Sequence, residues 1–448
     1  MAKTAKPKAA KKQSNKSEDY GSTGELLDNP DNRPDGGGRS SKNQEVEKYL
    51  TAAYDFRYNT IKQKPEFRKK PTEGSPYLPL DKYTLLSIKR ELDAAGFMIS
   101  KDGLLDILCS SYSVAINPVK EYFKNLFPWD EITDYIGELA ATVKAKNPEQ
   151  WTVYLKKWLV AVVANVFIDE RCANHTCLVL TGAQGKFKTT WIENLCPKGL
   201  ASYLYTGKLN LESKDCLTLI AEYFLINIDD QLKQLHKKDE NELKNLITIN
   251  SVKYRRPYDP IITEYPHLAS FAASINGNEF LNDPTGSRRF LPFEVEAINI
   301  TAAQKIDMDL VWCQAFKLFK SGFRYWFNDE EIDEQNKRNS EFSMSSTEEE
   351  LLKYYFAAAA PAGSVSALKF YPPSIIQSKL EMLSKLNRLS SKKIGEALNK
   401  MGIHKVQKSI EGQITWVYPV YEKTAMEIEQ QYTPVVIAQA QTEVFNNN

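Results

Sequence analysis

The chain has 448 residues, 42% hydrophobic and 26% charged, with a net charge of +1, values of an ordinary globular protein long enough for two or three domains. No apolar run approaches the roughly 18 residues that a membrane span needs, and the basic start lacks the apolar stretch of a secretory signal. Membrane and secreted readings are excluded, and a cytoplasmic compartment is expected.

The charge is unevenly placed. Residues 1–16 hold six lysines and no acid, and residues 379–408 hold eight Lys/Arg against two Glu. Because the whole chain is +1, the remainder stands at −11. Basic ends on an acidic body imply localised anion binding. Six cysteines, at 109, 172, 177, 196, 216 and 313, lie scattered through mostly apolar stretches. The one tight group, Cys172-Ala-Asn-His175-Thr-Cys177, lacks a second ligand pair at zinc spacing, so buried, reduced thiols are expected.

In chain order, residues 1–44 are too poor in apolar side chains to offset their chain entropy and are predicted to be disordered. Their lysines either touch nucleic acid or serve only as a solubilising extension. Residues 45–145 have helical spacing and form a predicted N-terminal helical domain. Its helices cover 84–96, closed by Gly96, then 117–126 and 132–144.

Residues 146–335 change texture. A helix over 151–168 leads to three short apolar runs, at 176–181, 219–228 and 267–275, separated by helical segments. Continuous apolar runs alternating with helices predict buried parallel strands in an α/β domain. Residues 336–425 return to helical spacing over 351–360, 374–386 and 391–401. An alternating stretch at 404–421 follows, with Glu411-Gly412 as its turn, which is the order of a winged helix. The tail, 426–448, is polar and expected to be flexible.

The chemistry concentrates in Gly182-Ala-Gln184-Gly185-Lys186-Phe187-Lys188-Thr189-Thr190. Against G-x-x-x-x-G-K-[ST] it matches at Gly182, Lys188 and Thr189 and fails at Phe187. An apolar run precedes it and a helix start follows, the setting in which loop N–H groups and a helix N-terminus face phosphate oxygens. Lys188 would pair with the β- and γ-phosphates of ATP, and the Thr189 hydroxyl would hold Mg²⁺. About forty residues on, the second run ends in Asp229-Asp230, with Asp229 to hold the Mg²⁺ shell through water and Asp230 to orient the attacking water. The third run ends at Asn276, placed to sense the γ-phosphate. Arg288 and Arg289, on an exposed turn, suit a transition-state finger, acting in trans in a ring. Lys253, Arg255 and Arg256 alternate with Tyr254 and Tyr258 on a predicted hairpin, a pattern that grips a nucleic-acid backbone and stacks bases.

These residues together resemble the virulence-associated protein E family, ATPases of phages, plasmids and genomic islands, and in particular its Bacteroides-type members. The resemblance runs from Tyr54-Asp-Phe-Arg-Tyr-Asn59 through Asn117-Pro118, Trp129-Asp130 and Gly182–Thr190. It continues through Lys244, Arg255–Tyr258, Asn276, Phe280-Leu-Asn-Asp283, Thr285-Gly-Ser-Arg-Arg-Phe-Leu291 and Gly322-Phe-Arg-Tyr-Trp-Phe327, covering about residues 45–355. It implies an AAA+-like core of the superfamily-three helicase kind, a role in replication initiation of the mobile element, and a primase as partner. The chain departs from the family at three places: Phe187 replaces the loop glycine, Asp230 replaces a glutamate, and His267 replaces an arginine.

The expected protein is therefore an α/β P-loop ATPase with an N-terminal helical domain and a C-terminal winged helix. It would hydrolyse ATP with Mg²⁺ as a DNA-dependent, hexameric helicase on single-stranded or duplex DNA. The winged helix would meet phosphates through Lys392, Lys393, Lys400 and Lys405. Two rivals stay open: an ATP-dependent assembly switch that recruits a primase without translocating, and a DNA-binding scaffold with a degenerate ATP site.

Overall fold

The structure is a computed structural model that describes residues 42–70, 75–213, 215–256, 261–282, 287–359, 368–410 and 413–429. The lysine-rich start, residues 257–260 and 283–286, the turn at 411–412 and residues 430–448 of the tail lie outside the described residues. Two compact units are distinguished, Met1–Tyr58 with Lys64–Ala115 and Asn59–Gln63 with Ile116–Asn448.

The first unit mixes helices with a sheet. Helices Lys42–Ala53, Lys82–Ala94 and Lys101–Leu108 accompany strands β1 (Tyr54–Asn59), β2 (Lys64–Lys69), β3 (Leu78–Pro79) and β4 (Val114–Ile116), in the order β3-β2-β1-β4. Asp81 caps the helix Lys82–Ala94 by accepting from the Thr84 N–H, and Gly96 follows it at φ +88°, the left-handed close that glycine favours. The purely helical reading of 45–145 is corrected here. Tyr54 and Phe56 point into a core with Leu50, Leu85 and Leu92, a period of two too short to stand out beside the longer helical runs. Residues from Ile116 onward belong to the second unit, where Phe123, Ile136 and Leu139 are buried in the main core.

In the second unit, β5 (Val143–Ala145), β6 (Cys177–Thr181), β7 (Leu204–Gly207), β8 (Leu225–Asp229), β11 (Ser270–Ser274) and β12 (Phe290–Ile298) form one sheet, while β9 (Ser251–Tyr254) and β10 (Thr263–Pro266) pair as a separate hairpin. The sheet order is β5-β12-β6-β11-β8-β7. Its strands from β12 to β7 are parallel, and β5 closes the edge antiparallel to β12. In β6, Leu178 and Leu180 face one core, under the helices Pro148–Phe167 and Met308–Lys320. Cys177 and Val179 face the other, under Asp215–Glu222 and Lys237–Thr248. Both faces are covered, which is why the run reads as unbroken apolar sequence. Each such aliphatic side chain contributes about 1.5–3 kcal/mol of burial.

Three boundaries differ from expectation, one of them the helix expected over 351–360, which spans Thr347–Tyr355 and gives way to a short strand at Phe356–Ala357. The run 219–228 is not one strand: its first part ends the helix Asp215–Glu222, and only Leu225–Asp229 is extended. The helix expected over 132–144 spans Tyr135–Ala141, and the chain then enters β5. Here pairing with β12 overrides helical spacing.

The C-terminal part holds helices Asp329–Asn339, Thr347–Tyr355, Pro373–Ser384 and Ser391–Lys400 with β13 (Phe356–Ala357), β14 (Lys369–Tyr371), β15 (Val406–Ile410) and β16 (Gln413–Glu422). The long β16 pairs antiparallel with the other three. A core of its own gathers Leu352, Ile376, Leu380, Ile394, Leu398 and Val420. No helix among the described residues is long and apolar enough to cross a membrane.

Candidate functional site

Three neighbouring parallel strands, β6, β11 and β8, end side by side, so their carboxyl ends share one crevice, the usual ligand position in an open α/β sheet. β6 runs into the loop 182–187 and β8 ends at Asp229-Asp230. β11, lying between them, ends at Ser274 two residues before Asn276. Gln184, Gly185, Lys186, Phe187, Lys188, Thr189, Thr190, Asp229, Asp230, Ser274 and Asn276 line an open cavity of about 440 Å³.

The loop is fixed at its entrance. Gly182 and Gly277 exchange backbone hydrogen bonds, 3.2 Å from the Gly182 N–H and 3.0 Å from the Gly277 N–H. Gly182 sits at φ +126°, and a Cβ there would meet the Val295 carbonyl oxygen at 2.7 Å, so no other residue fits without displacing the strand. At the exit, Phe187 adopts φ +58°, ψ +23°, with its ring exposed. The backbone is left-handed where the motif has glycine, and phenylalanine occupies that conformation at a cost of about 1–2 kcal/mol.

Lys188 is 5% exposed. Its Nζ donates to the carbonyl oxygens of Gly182 (3.1 Å) and Ala183 (2.7 Å) and to Asn276 Oδ1 (3.4 Å). None of these partners is charged. Burial lowers its pKa and the nearby Asp230 and Asp229 oppose that shift. The ammonium is thus oriented by neutral acceptors, with its charge left for an anion. Beside it, Asp229 Oδ1 accepts from Thr189 Oγ1 (2.8 Å) and from Ser274 Oγ (2.8 Å), and the two hydroxyls are 2.9 Å apart. Asp230, at φ +47°, donates its N–H to the Ser274 carbonyl (3.0 Å), and its Oδ1 accepts from the Asn276 N–H at 3.3 Å.

One carboxylate and two hydroxyls are hard oxygen donors. They suit Mg²⁺, which takes one or two protein oxygens and completes its shell with water and phosphate. Among the described residues no group of three or more His, Cys, Asp or Glu is placed to hold a metal ion. Cys172 Sγ contacts backbone carbonyls instead.

The sequence reading therefore placed the loop, Lys188, Thr189, Asp229, Asp230 and Asn276 together as the structure does, and it missed Ser274. Its signal was slight: a small polar residue at the end of an apolar run, two positions before Asn276.

Other expected residues lie elsewhere. Arg288 and Arg289 form a short turn, Ser287–Arg289, just before β12. Phe290 pairs with Cys177 at the start of β6, whereas Thr181 at its end pairs with Glu294. That is roughly 13 Å of strand at about 3.3 Å per residue. The arginines line a different cavity, of about 330 Å³, with His175, Tyr325 and Trp326. The structure does not bring them to the chain's own Lys188.

The nucleic-acid reading of the β9–β10 hairpin is corrected in two residues. Arg256 is bound at the Ile61 and Lys62 carbonyls (2.8 and 2.5 Å) and pairs with Glu222 at 2.8 Å. Tyr254 is 8% exposed and packs on Tyr265 at 4.8 Å. Both are committed to the fold, while Arg255 is exposed and Lys253, also exposed, pairs with Glu264 at 3.1 Å. Tyr258 lies outside the described residues. His267 is buried at the other end of β11 from Asn276, with ring nitrogens 2.7 Å from the Ile249 and 2.8 Å from the Ala269 carbonyl oxygens. It is not among the side chains that line the loop cavity. In the C-terminal part, Lys400 pairs with Glu349 (3.0 Å), while Lys392 and Lys393 stand 3.9 and 4.0 Å from Glu396 and Glu348.

Comparison with known proteins adds one family. Residues 124–344 match the virulence-associated protein E-like domain, a stretch that contains the loop, both aspartates, Ser274 and Asn276. The chain is also similar to solved apo structures of the NrS-1 C-terminal region. One is 12% identical at a TM-score of 0.48, covering 86% of this chain and 100% of that chain. Another is 13% identical at a TM-score of 0.45, covering 84% and 99%. No curated protein matches.

Proposed function

We propose that this chain is an ATP hydrolase of the P-loop kind that works on DNA in the replication of a mobile element. The observation that carries the reading is the buried Lys188, held only by neutral acceptors, beside the Thr189–Asp229–Ser274 triangle. Loop N–H groups and Lys188 bind the phosphates, and Thr189 with Asp229 would hold Mg²⁺. When bound, the ion neutralises charge on the phosphate oxygens. Asp230 and Asn276, tied together by the hydrogen bond between them, position water at the terminal phosphate. Catalysis rests on positioning and charge compensation rather than on a protein nucleophile.

The core would span 146–335 and a winged helix 336–425. A ring, expected to be hexameric, supplies Arg288 or Arg289 from the neighbouring copy, and a primase is the expected partner. The domain match over 124–344 supports the assignment to mobile-element replication through the resemblance set out above.

Steady-state ATP hydrolysis of wild type and Lys188→Ala, with and without single-stranded and duplex DNA, tests the reading. Turnover raised several-fold by DNA and abolished by Lys188→Ala is the expected result. Nucleotide binding with turnover indifferent to DNA would replace the motor by an assembly switch. Absence of nucleotide binding would leave a scaffold and end the catalytic reading.

A further inference from the structure

The hairpin β15–β16 extends past the core in which it is rooted. Tyr418 and Val420 of β16 are buried among Ile394, Ala397, Leu398 and Ile403. On the same strand face, two and four residues nearer the turn, Trp416 and Ile414 are 50% and 75% exposed. Their cross-strand neighbours, Gln407 and Ser409, are themselves exposed and cover neither. Lys405 Nζ stands 5.1 Å from the Trp416 ring centroid. Among the described residues, Lys405 and Lys408 have no carboxylate partner, unlike Lys392, Lys393 and Lys400 on the preceding helix. Lysines commonly guard an exposed edge strand, but guarding calls for no half-exposed indole beside them.

We propose that this face of the hairpin binds single-stranded DNA, with a base stacked on Trp416 and Lys405 on the adjoining phosphate. The choice of occupant follows from charge and shape. Of the basic side chains of 379–408, Lys405 and Lys408 lie at the hairpin with no carboxylate partner among the described residues, complementary to phosphate, whereas Lys379 and Lys400 are paired with Glu422 and Glu349. An indole face adds binding only where a base face is free, which a continuous duplex does not offer. The inference rests on the DNA reading above. It moves the principal contact from the helix Ser391–Lys400, whose lysines are partly neutralised, to the strand pair after it.

The test uses the intact chain. Anisotropy of a labelled mixed-sequence oligonucleotide, single-stranded or annealed to its complement, is read for wild type, Trp416→Ala, Trp416→Phe and Lys405→Ala. Trp416→Ala should weaken single-strand binding about tenfold, and Trp416→Phe, which keeps a ring, much less. For both Trp416 variants, duplex binding and DNA-free ATP turnover should stay as in wild type, while Lys405→Ala should weaken single-strand binding too. Unchanged single-strand binding by Trp416→Ala, with wild type binding well, would overturn this inference and leave the DNA reading standing. Wild type binding neither form of DNA would overturn both. A change in sedimentation without a change in DNA affinity would make the face a contact between copies and overturn the proposal.

Discussion

Phe187 sits where the backbone conformation asks for glycine, and its ring is exposed, so little burial offsets the strain. Phe187→Gly should raise stability by about 1 kcal/mol or less, since glycine also loosens the unfolded chain. The urea midpoint measures it, and a fall would show that the ring packs usefully. Gly182 has no such latitude: Gly182→Ala would push a Cβ into the Val295 carbonyl and should cost a few kcal/mol in the same assay, at about 1–3 kcal/mol for backbone strain alone. Ser274→Ala removes the hydroxyl that holds Thr189 against Asp229. Its expected signature is a several-fold higher Mg²⁺ concentration for half-maximal ATP turnover, with the thermal midpoint nearly unchanged. Lys188 and Thr189 were legible because their spacing is a motif. Ser274 was not, because its meaning comes from β11 lying between β6 and β8, which no local pattern announces.

At the scale of elements, the strands buried on both faces were the readable ones: β6, β8 and β11 each sit within an apolar run, because parallel strands have no solvent face to interrupt it. What failed was short or depended on a distant partner. β5 is three residues long and exists through β12, and β1 follows directly on the helix Lys42–Ala53, whose periodicity dominates its surroundings. His267 marks the junction where β10 passes into β11. Burial pushes its pKa down from the ordinary 6.5 to about 4, although the Ile249 and Ala269 carbonyls pull the other way. A neutral ring has one N–H to give, so only one of the two carbonyls is served. Between pH 4 and 6.5 the unfolded state therefore binds more protons than the folded one. Its contribution is whole above pH 6.5 and fades as pH falls toward 4, on the order of 3 kcal/mol. Urea unfolding against pH should show a shallower acid slope for His267→Gln than for wild type, and equal slopes would refute the assignment.

At the scale of the molecule, the loop 182–187 and the Arg288–Arg289 turn occupy opposite ends of the same parallel strands. A chain whose arginines serve only a neighbour has a clear signature in mixing. The double variant Arg288→Ala/Arg289→Ala and the single variant Lys188→Ala should each be silent in ATP turnover. Their mixture should regain it, because an intact loop on one copy can meet intact arginines on the next. No recovery, with both variants folded and assembling, would remove the arginines from the reaction. If the arginines serve only a neighbouring copy, as in the ring proposed above, a single chain holds no complete site and needs a second copy to supply them. Under that proposal turnover per chain should fall on dilution, and local abundance of the protein itself would become a condition for its activity.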